Sequence, residues 1–150
     1  MPVRIVNGAF DPLAEVRDYQ QASLRAGQFG ANAVFIGTMR DFNDGDPVSG
    51  MQLEYYPGMT EKHLQRICDS AGQRWALLDC LVTHRVGTIT PGEPIVVVSV
   101  WSAHRGDACD ACRHIIEDLK QNAPFWKKEM LENGARWVEH NTDGYQGKTG

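Results

Sequence analysis

The sequence has no long hydrophobic run, and this absence excludes one large class of protein. A helix that crosses a bilayer needs about 20 consecutive apolar residues, and no stretch of the 150-residue chain approaches that length. The first four residues, Met-Pro-Val-Arg, also lack the apolar core of a secretory signal peptide. We therefore expect no membrane partner, and the cytoplasm is the expected compartment.

The sequence also lacks an excess of positive charge and has few cysteines. Its 15 Lys and Arg residues are outnumbered by 19 Asp and Glu residues, which gives a net charge of -4. Broad binding to nucleic acid is therefore not expected, and any site for an anion must be a local cluster of cations. The chain has four cysteines, and in a chain of this size without an export signal we expect reduced thiols rather than a disulfide framework.

No internal repeat, low-complexity segment or linker divides the chain. Its length suits one domain with a substantial core. We expect a single domain over residues 1–140, followed by a flexible tail over residues 141–150, which are polar and contain glycine.

Hydrophobic periodicity predicts an α+β fold. Apolar residues at helical spacing predict helices that begin near Asp11, Thr60 and Gly106. Runs of apolar and β-branched residues predict strands over residues 3–6, 29–39, 48–56, 77–86, 95–101 and 136–139. Because strands and helices do not alternate strictly, we expect a mainly antiparallel sheet with helices packed on one face, not a doubly wound parallel sheet.

The segment over residues 120–129 carries the strongest chemical signal. A predicted helix ends at Lys120, Pro124 prevents its continuation, and Phe125 and Trp126 are expected to be buried. Basic residues on both sides of this turn would be held close together. Clustered cations lower one another's pKa, so a lysine amine there can act as a nucleophile or a base. The alternative is a solvated basic turn with an aromatic anchor.

Two further positions suit the binding of an anion. Arg40 ends a predicted strand beside the turn-rich segment 41–47, where the alternative is an ion pair with a neighbouring aspartate. His104 and Arg105 lie at a strand-to-helix junction, where free backbone N–H groups favour anions; the alternative is a capping or packing role. At 1.5 Å per residue, His104 and Lys120 are about 24 Å apart on one helix. We therefore expect either two sites or, as the favoured hypothesis, a symmetric dimer that joins them.

Cys109 and Cys112, with His104 and His114, resemble a set of metal ligands only superficially. At about 100° per residue, Cys109 and Cys112 share a helix face, but His114 lies about 200° beyond Cys112. Four ligands along one continuous helix cannot close a tetrahedron, so we expect no metal. The two cysteines could instead form a redox pair, although Cys112 falls on the core-facing stripe, where cysteine packs as a small hydrophobe.

Several motifs follow one another in a specific order and spacing. They are Gly37-Thr38-Met39-Arg40, Leu53-Glu54-Tyr55-Tyr56-Pro57-Gly58-Met59-Thr60, His84-Arg85-Val86-Gly87, Ser102-Ala103-His104-Arg105, Ala123-Pro124-Phe125-Trp126-Lys127-Lys128-Glu129 with Lys120 upstream, and Arg136-Trp137-Val138-Glu139. Together they resemble the large, catalytic subunit of molybdopterin synthase, over about residues 29–139.

The resemblance implies an α/β-hammerhead-like fold and a homodimer at the centre of a heterotetramer. Each large subunit would bind a small ubiquitin-like subunit, whose C-terminal Gly-Gly tail carries a thiocarboxylate. The sulfur would pass to cyclic pyranopterin monophosphate and form the dithiolene of molybdopterin. Because the partner's tail delivers the sulfur, the resemblance implies no cofactor and no cysteine carrier in this chain.

The resemblance also assigns residues to roles. Lys120 and Lys127 match the family's essential lysines, and which of them is the nucleophile stays open. Arg40, His104 and Arg105 match the family's ligands for the substrate anion, and the resemblance implies that His104 and Arg105 come from the neighbouring chain. The residues that match flanking pocket positions are Thr38, Met39, Lys128 and Glu129.

The sequence departs from the family at the rim of this pocket. The family often has Lys, Val and Asn at the positions of Thr38, Met39 and Asp41, so the rim here carries less positive charge. Two rival functions remain open: a thiol or persulfide carrier that uses Cys109 and Cys112, and a non-catalytic scaffold for a ubiquitin-like partner.

Overall fold

The computed structural model describes residues 1–138, and these contain three helices and eight strands. The elements are β1 (Val3–Asn7), α1 (Pro12–Ser23), β2 (Ala31–Thr38), β3 (Phe42–Asn43), β4 (Asp46–Tyr55), α2 (Met59–Arg74), β5 (Leu77–Ile89), β6 (Pro94–Ser102), α3 (Arg105–Asn122), β7 (Phe125–Leu131) and β8 (Gly134–Val138). The predicted tail at 141–150, and the predicted end of the last strand at Glu139, lie outside the described residues. Within residues 1–138, no helix is long and apolar enough to cross a membrane.

The strands form one sheet with the order β2-β6-β5-β4-β7-β8, while β1 pairs with β5 and β3 pairs with β4. The β1–β5 pair is parallel and the other pairs are antiparallel. The predicted α+β class and mainly antiparallel sheet are therefore confirmed.

Strand β5 connects the two halves of the sheet. Along β5, the pairing with β6 ends at His84, and the pairing with β4 begins at Gly87. Gly87 has φ +87°, and a Cβ at this position would lie 2.6 Å from Oδ1 of Asn7. Glycine is therefore required at the point where the strand changes neighbours, and His84 lies just before that point.

The two faces of the sheet pack against different helices, as the alternation along β6 shows. Val96 and Val98 belong to the main core, which includes the buried residues of α2 and α3. Val97 and Trp101 belong to a smaller cluster with Val16 of α1. The expectation that the helices pack on one face is therefore wrong for α1, because both faces of β6 are apolar and each needs cover.

Strand β7 replaces most of the turn predicted over residues 120–129. It pairs with β4 on one side and β8 on the other. Successive side chains on a strand point to opposite faces, so Phe125 packs against the core while Trp126, expected to be buried, is 47% exposed. The turn itself is limited to the residues between Asn122 and Phe125.

The turn-rich segment 41–47 is a tight hairpin rather than an open loop. Strand β3 pairs with the start of β4, and the two residues between them, Asp44 and Gly45, have φ values of 51° and 79°. Positive φ at both central positions is typical of a type I′ hairpin turn, which Asp-Gly favours. The hairpin places Phe42 and Asn43 beside the end of β2.

Candidate active site

Lys120 lies in the last turn of α3, close to the start of β7. The helix ends because Ala123 adopts φ -68° and ψ 136°, outside the helical region, and Pro124 has no N–H to continue the bonding. The Ala123 N–H still donates to the Leu119 carbonyl at 3.1 Å. The chain therefore leaves the helix in a fixed direction, one turn after Lys120.

Thr60 braces this turn from α2. Its buried hydroxyl donates to the Pro124 carbonyl at 3.0 Å and accepts from the Tyr56 N–H at 2.9 Å. Thr60 is not the cap of α2, because Gly58 is the N-cap and its N–H donates to the Glu61 carboxylate at 3.2 Å. A hydroxyl that satisfies two backbone groups at once holds both segments in place.

Lys127 is brought to the same place by the register of β7. It lies opposite Leu53 in β4 and opposite Val138 in β8. Its side chain and that of Lys120 both line two neighbouring cavities. The two lysines that the sequence singles out therefore share one site, although one comes from a helix end and the other from a strand.

The two cavities differ in size and in chemistry. The smaller one has a volume of about 100 Å³ and is lined mainly by apolar side chains, together with His84 and the two lysines. The larger one has a volume of about 210 Å³. Its polar lining comes from Thr38, Arg40, Asn43 and Glu129, besides the same two lysines. The lysines thus stand where an apolar cavity meets a polar one.

Burial makes both lysines more acidic than usual. Burial first, and then the positive charge of Lys127, lowers the pKa of Lys120 to about 8. Burial also lowers the pKa of Lys127, with Arg40 acting in the same direction and the carboxylates of Glu129 and Asp44 opposing. Mutual repulsion was the expected cause, but desolvation is the larger one because both amines lie among packed side chains.

His84 is a site residue to which the sequence assigned no role. Its ring stacks on Phe125 with a centroid distance of 4.0 Å and an angle of 18°. Its Nδ1 lies 2.8 Å from the Arg85 carbonyl oxygen. Burial, followed by the charge of Lys120, lowers the pKa of His84 to about 3. The histidine is therefore neutral at physiological pH.

The end of β2 forms one wall of the larger cavity. Thr38 and Met39 line it, and Met39 is fixed by backbone hydrogen bonds to Glu93 and Gly92 of 3.0 and 2.8 Å. Arg40 also lines it, with its guanidinium 4.8 Å from the Phe42 ring centroid. None of the ion pairs within residues 1–138 includes Arg40, so the alternative pairing with an aspartate is not seen there.

Glu129 closes the larger cavity as part of a buried network. The carboxylate is 4% exposed and accepts from Nδ2 of Asn43 at 3.0 and 3.1 Å and from Nε of Arg136 at 3.1 Å. Arg136 also donates to Asp46 at 2.9 Å and to the Asn43 carbonyl at 3.1 Å. This network ties the β3–β4 hairpin to β7 and β8, a link that the sequence pattern did not reveal.

Three predicted site residues lie away from these cavities within one chain. Lys128 is on the outer face of β7, with its ammonium 5.7 Å from the Trp137 ring centroid. His104 and Arg105 are exposed at the start of α3, while Lys120 is in its last turn. A single chain therefore does not bring His104 or Arg105 to the lysines.

The cysteines of α3 do not form a reactive pair in this structure. Cys109 is exposed and Cys112 is buried, with its Sγ 3.9 Å from the Val98 carbonyl oxygen. Burial, with a smaller contribution from Cys109, raises the pKa of Cys112 to about 11. A buried thiol of this kind carries little of the thiolate that nucleophilic chemistry needs. Over the described part of the chain, no group of three or more His, Cys, Asp or Glu residues is placed to hold a metal ion.

Two half-buried lysines and Arg40 surround the larger cavity of this α+β fold, and such a cluster of cations suits an anionic ligand. Comparison with known proteins gives the family. Residues 10–122 match the model of the family described as MoaE protein. The chain belongs to the MoaE family, which confirms the resemblance seen in its motifs.

Two curated relatives cover most of the chain. The Molybdopterin synthase catalytic subunit of Ralstonia nicotianae is 55% identical over 139 residues, which are 91% of this chain and 76% of that protein. The protein of the same name from Pseudomonas aeruginosa is 52% identical over 141 residues, which are 93% of this chain and 91% of that protein.

Solved structures show the same fold. The molybdopterin biosynthesis MoaE protein from Burkholderia ambifaria superimposes with a TM-score of 0.78 at 43% identity, over 95% of this chain and 92% of that chain. Molybdopterin synthase from Staphylococcus aureus gives a TM-score of 0.81 at 31% identity, over 91% of this chain and 96% of that chain.

Proposed function

We propose that this chain is the catalytic, sulfur-transferring subunit of a molybdopterin synthase, acting in molybdenum cofactor biosynthesis. The observation that carries the proposal is the position of Lys120 and Lys127 at the junction of the two cavities. The substrate proposed from the resemblance is cyclic pyranopterin monophosphate, and the product is the dithiolene of molybdopterin. An anionic phosphate and an anionic thiocarboxylate both need cations, and this acidic chain concentrates cations here.

The lowered pKa of Lys120 suits it to chemistry near neutral pH. With a pKa of about 8, about a tenth of the amine is unprotonated at pH 7, roughly 300-fold more than for an ordinary lysine. The free amine can attack the acyl carbon of the thiocarboxylate or accept a proton from the reacting groups. We assign this role to Lys120, and to Lys127 the stabilisation of the negative charge that develops beside it.

The polar cavity suits the phosphate-bearing substrate. Arg40 supplies a guanidinium there, and the Glu129 network holds the hairpin that forms the opposite wall. The apolar cavity, with its small volume, suits the narrow glycine tail of a partner protein. Sulfur would then pass between the two cavities at the lysines, with the acyl–sulfur bond broken on one side and a carbon–sulfur bond formed on the other.

The partner that we propose is a small ubiquitin-like subunit with a C-terminal thiocarboxylate. A Helicobacter pylori structure that shares this fold, with a TM-score of 0.77 at 23% identity, is described as a complex of subunits 1 and 2 of molybdopterin-converting factor. The curated relatives are likewise named as subunits. The predicted cytoplasmic location stays a prediction, which cell fractionation would test.

We also propose that the chain works as a homodimer at the centre of a heterotetramer. Within one chain, His104 and Arg105 begin the helix whose last turn contains Lys120, about 24 Å further on. A two-fold dimer can place the helix start of one protomer beside the lysines of the other. Arg105 would then add a cation to the polar cavity, and His104 a ring that can form a hydrogen bond.

The proposal is tested by reconstitution. The purified chain is mixed with a thiocarboxylated small subunit and cyclic pyranopterin monophosphate, and both the pterin product and the mass of the small subunit are followed. Dithiolene product, with conversion of the thiocarboxylate to a carboxylate, supports sulfur transfer. Tight binding of the small subunit with no chemistry would support the scaffold instead.

A further inference from the structure

A buried arginine lies beside the turn between β5 and β6. Arg85 is 6% exposed, and its Nη2 donates to the Thr88 carbonyl at 2.9 Å. Its Nη1 lies 3.1 Å from Oε2 of Glu93, close enough for an ion pair. Within residues 1–138, however, Nη1 and Nε of Arg85 make no hydrogen bond. Burying a guanidinium whose nitrogens are not all hydrogen-bonded costs stability, so its presence is better explained by function than by folding.

Glu93 connects this arginine to the turn. Its Oε1 accepts from the N–H and the hydroxyl of Thr90 at 2.7 and 2.6 Å, while Oε2 faces Arg85. The hydrogen bonds from Thr90, followed by Arg85, lower the pKa of Glu93 to about 2, so the carboxylate is charged at neutral pH. One carboxylate therefore ties the first and last residues of the turn to each other and to a buried cation.

The backbone of the same turn holds the end of β2. The Met39 N–H donates to the Glu93 carbonyl at 3.0 Å, and the Gly92 N–H donates to the Met39 carbonyl at 2.8 Å. Strand β2 is an edge strand of the sheet that the described residues form, and its pairing with β6 is irregular near its end. The two hydrogen bonds of Met39 therefore anchor the chain past this irregularity, up to the residue before Arg40.

Arg40 depends on this anchor because no carboxylate in residues 1–138 pairs with it. It also repels Lys127, which lines the same cavity. Its guanidinium lies 4.8 Å from the Phe42 ring centroid instead. A carboxylate partner would neutralise the arginine, whereas the backbone and the face of a ring can hold it and leave its charge available to an anion.

We infer that Glu93, anchored by Arg85, is a positioning residue for Arg40: it fixes the turn between β5 and β6 against Met39 and so sets where Arg40 enters the larger cavity. Glu93 itself lines neither of the two cavities and acts through the backbone. The inference rests on the proposed function, since Arg40 is the proposed ligand of the substrate phosphate, but its first readout requires no sulfur transfer.

Three variants test this link. Glu93→Gln keeps the size of the side chain and removes its charge, Arg85→Met removes the cation, and Glu93→Asp keeps a carboxylate on the turn. Glu132→Gln, at an exposed glutamate just beyond β7, controls for the loss of one negative charge. Each full chain is examined by NMR at neutral pH, where the ring current of Phe42 shifts the side-chain protons of Arg40. Phe42→Leu gives the positions of those signals without the ring.

We expect Glu93→Gln and Arg85→Met to move the Arg40 signals toward their positions in the variant without the ring. Glu93→Asp and the control should leave them near those of the wild type. In the sulfur-transfer assay, Glu93→Gln should raise the KM for cyclic pyranopterin monophosphate roughly 3- to 10-fold, with kcat unchanged. In an Arg40→Met background the same change should have no further effect, because the residue through which Glu93 acts is gone.

Unchanged Arg40 signals in folded Glu93→Gln would overturn the inference, and so would wild-type signals identical to those of Phe42→Leu. An unchanged KM in Glu93→Gln, or an equal rise in KM with and without Arg40, would also overturn it. If Arg85→Met does not fold, Glu93→Gln decides alone. A wild type that shows the expected Arg40 signals but forms no product would instead count against the proposed function alone.

Discussion

Lys120 and Lys127 line the same two cavities, one amine carried by the last turn of a helix and the other by the strand that follows it. Each is desolvated, and the charge of Lys127 further lowers the pKa of Lys120. Burying cations costs stability, so their placement is better explained by chemistry than by folding. The expected outcomes below follow from this pairing.

The rate of sulfur transfer should depend on the free amine of Lys120. The pKa of about 8 predicts a rate that rises as the pH passes through about 8 and levels off above it. In Lys127→Met, the charge that lowers this pKa is gone, so the rise should move to higher pH. Rate–pH profiles check this, and the exposed Lys62→Met is the control that should not move the profile.

Removing the buried charge should stabilise the protein. Below pH 8 the folded state holds a proton on a buried amine whose pKa is about 8 when folded and about 10.5 when unfolded. The unfolded state binds more protons between those values, so the stability of the wild type rises with pH from about 8 to 10.5.

Lys120→Met removes this dependence and should raise the free energy of unfolding at pH 7 by on the order of 1–3 kcal/mol. Urea denaturation at pH 7 and pH 10 measures both effects; a variant less stable than the wild type at pH 7 would contradict the burial argument.

Glu129 should be important for stability as well as for the cavity. Glu129→Ala leaves Asn43 and Arg136 without a buried partner, and we expect a loss of about 1–3 kcal/mol in the free energy of unfolding. Chemical denaturation measures the loss. Glu132→Ala, at an exposed glutamate just beyond β7, is the matched control and should unfold like the wild type. Equal stabilities of the two variants would contradict the network's role.

The cysteines of α3 should be dispensable. Cys109→Ser and Cys112→Ser are expected to retain activity, because in the proposed reaction the sulfur arrives on the partner's tail, and because burial raises the pKa of Cys112 to about 11. Sulfur-transfer assays of both variants check this. Loss of turnover with a normal circular dichroism spectrum would support the persulfide carrier instead.

The proposed dimer can be tested by mixing inactive variants. Lys120→Ala and Arg105→Ala should each be inactive alone, but a mixed dimer would contain one intact site built from both chains. Random mixing makes half of the dimers mixed, so we expect about a quarter of the wild-type activity. A mixture that stays inactive after subunit exchange, shown by native mass spectrometry, would mean that Arg105 acts within its own chain. An Arg105→Ala protein that is active alone would mean that Arg105 has no role in the reaction.

The parts of the fold that follow local pattern were predictable from the sequence. Strand β6 is a β-branched run, and α3 carries an apolar stripe at helical spacing. Both elements begin and end within two residues of the predicted positions. Helix α1 begins next to Asp11, as predicted, and the Asp11 side chain caps it by accepting from the N–H groups of Leu13 and Ala14.

The parts that depend on distant contacts were not predictable. Lys127 and Glu129 of β7 face the cavities, so the sequence of β7 lacks the alternation of apolar and polar residues that marks a half-buried strand. This segment is a strand because it pairs with β4 and β8. The position of His84 in the site depends on its stack on Phe125, and the buried network of Glu129 depends on Asn43 and Arg136. A histidine within an apolar strand pattern was the one available signal for the first of these.

The central claim is that the paired lysines carry the sulfur transfer. Its most direct test is a single-turnover measurement of dithiolene formation by Lys120→Ala, with thiocarboxylated small subunit in excess and the fold checked by circular dichroism. We predict a rate roughly 10²–10⁴-fold below the wild type, with the small subunit still bound. A folded Lys120→Ala protein that forms product at the wild-type rate would contradict the account.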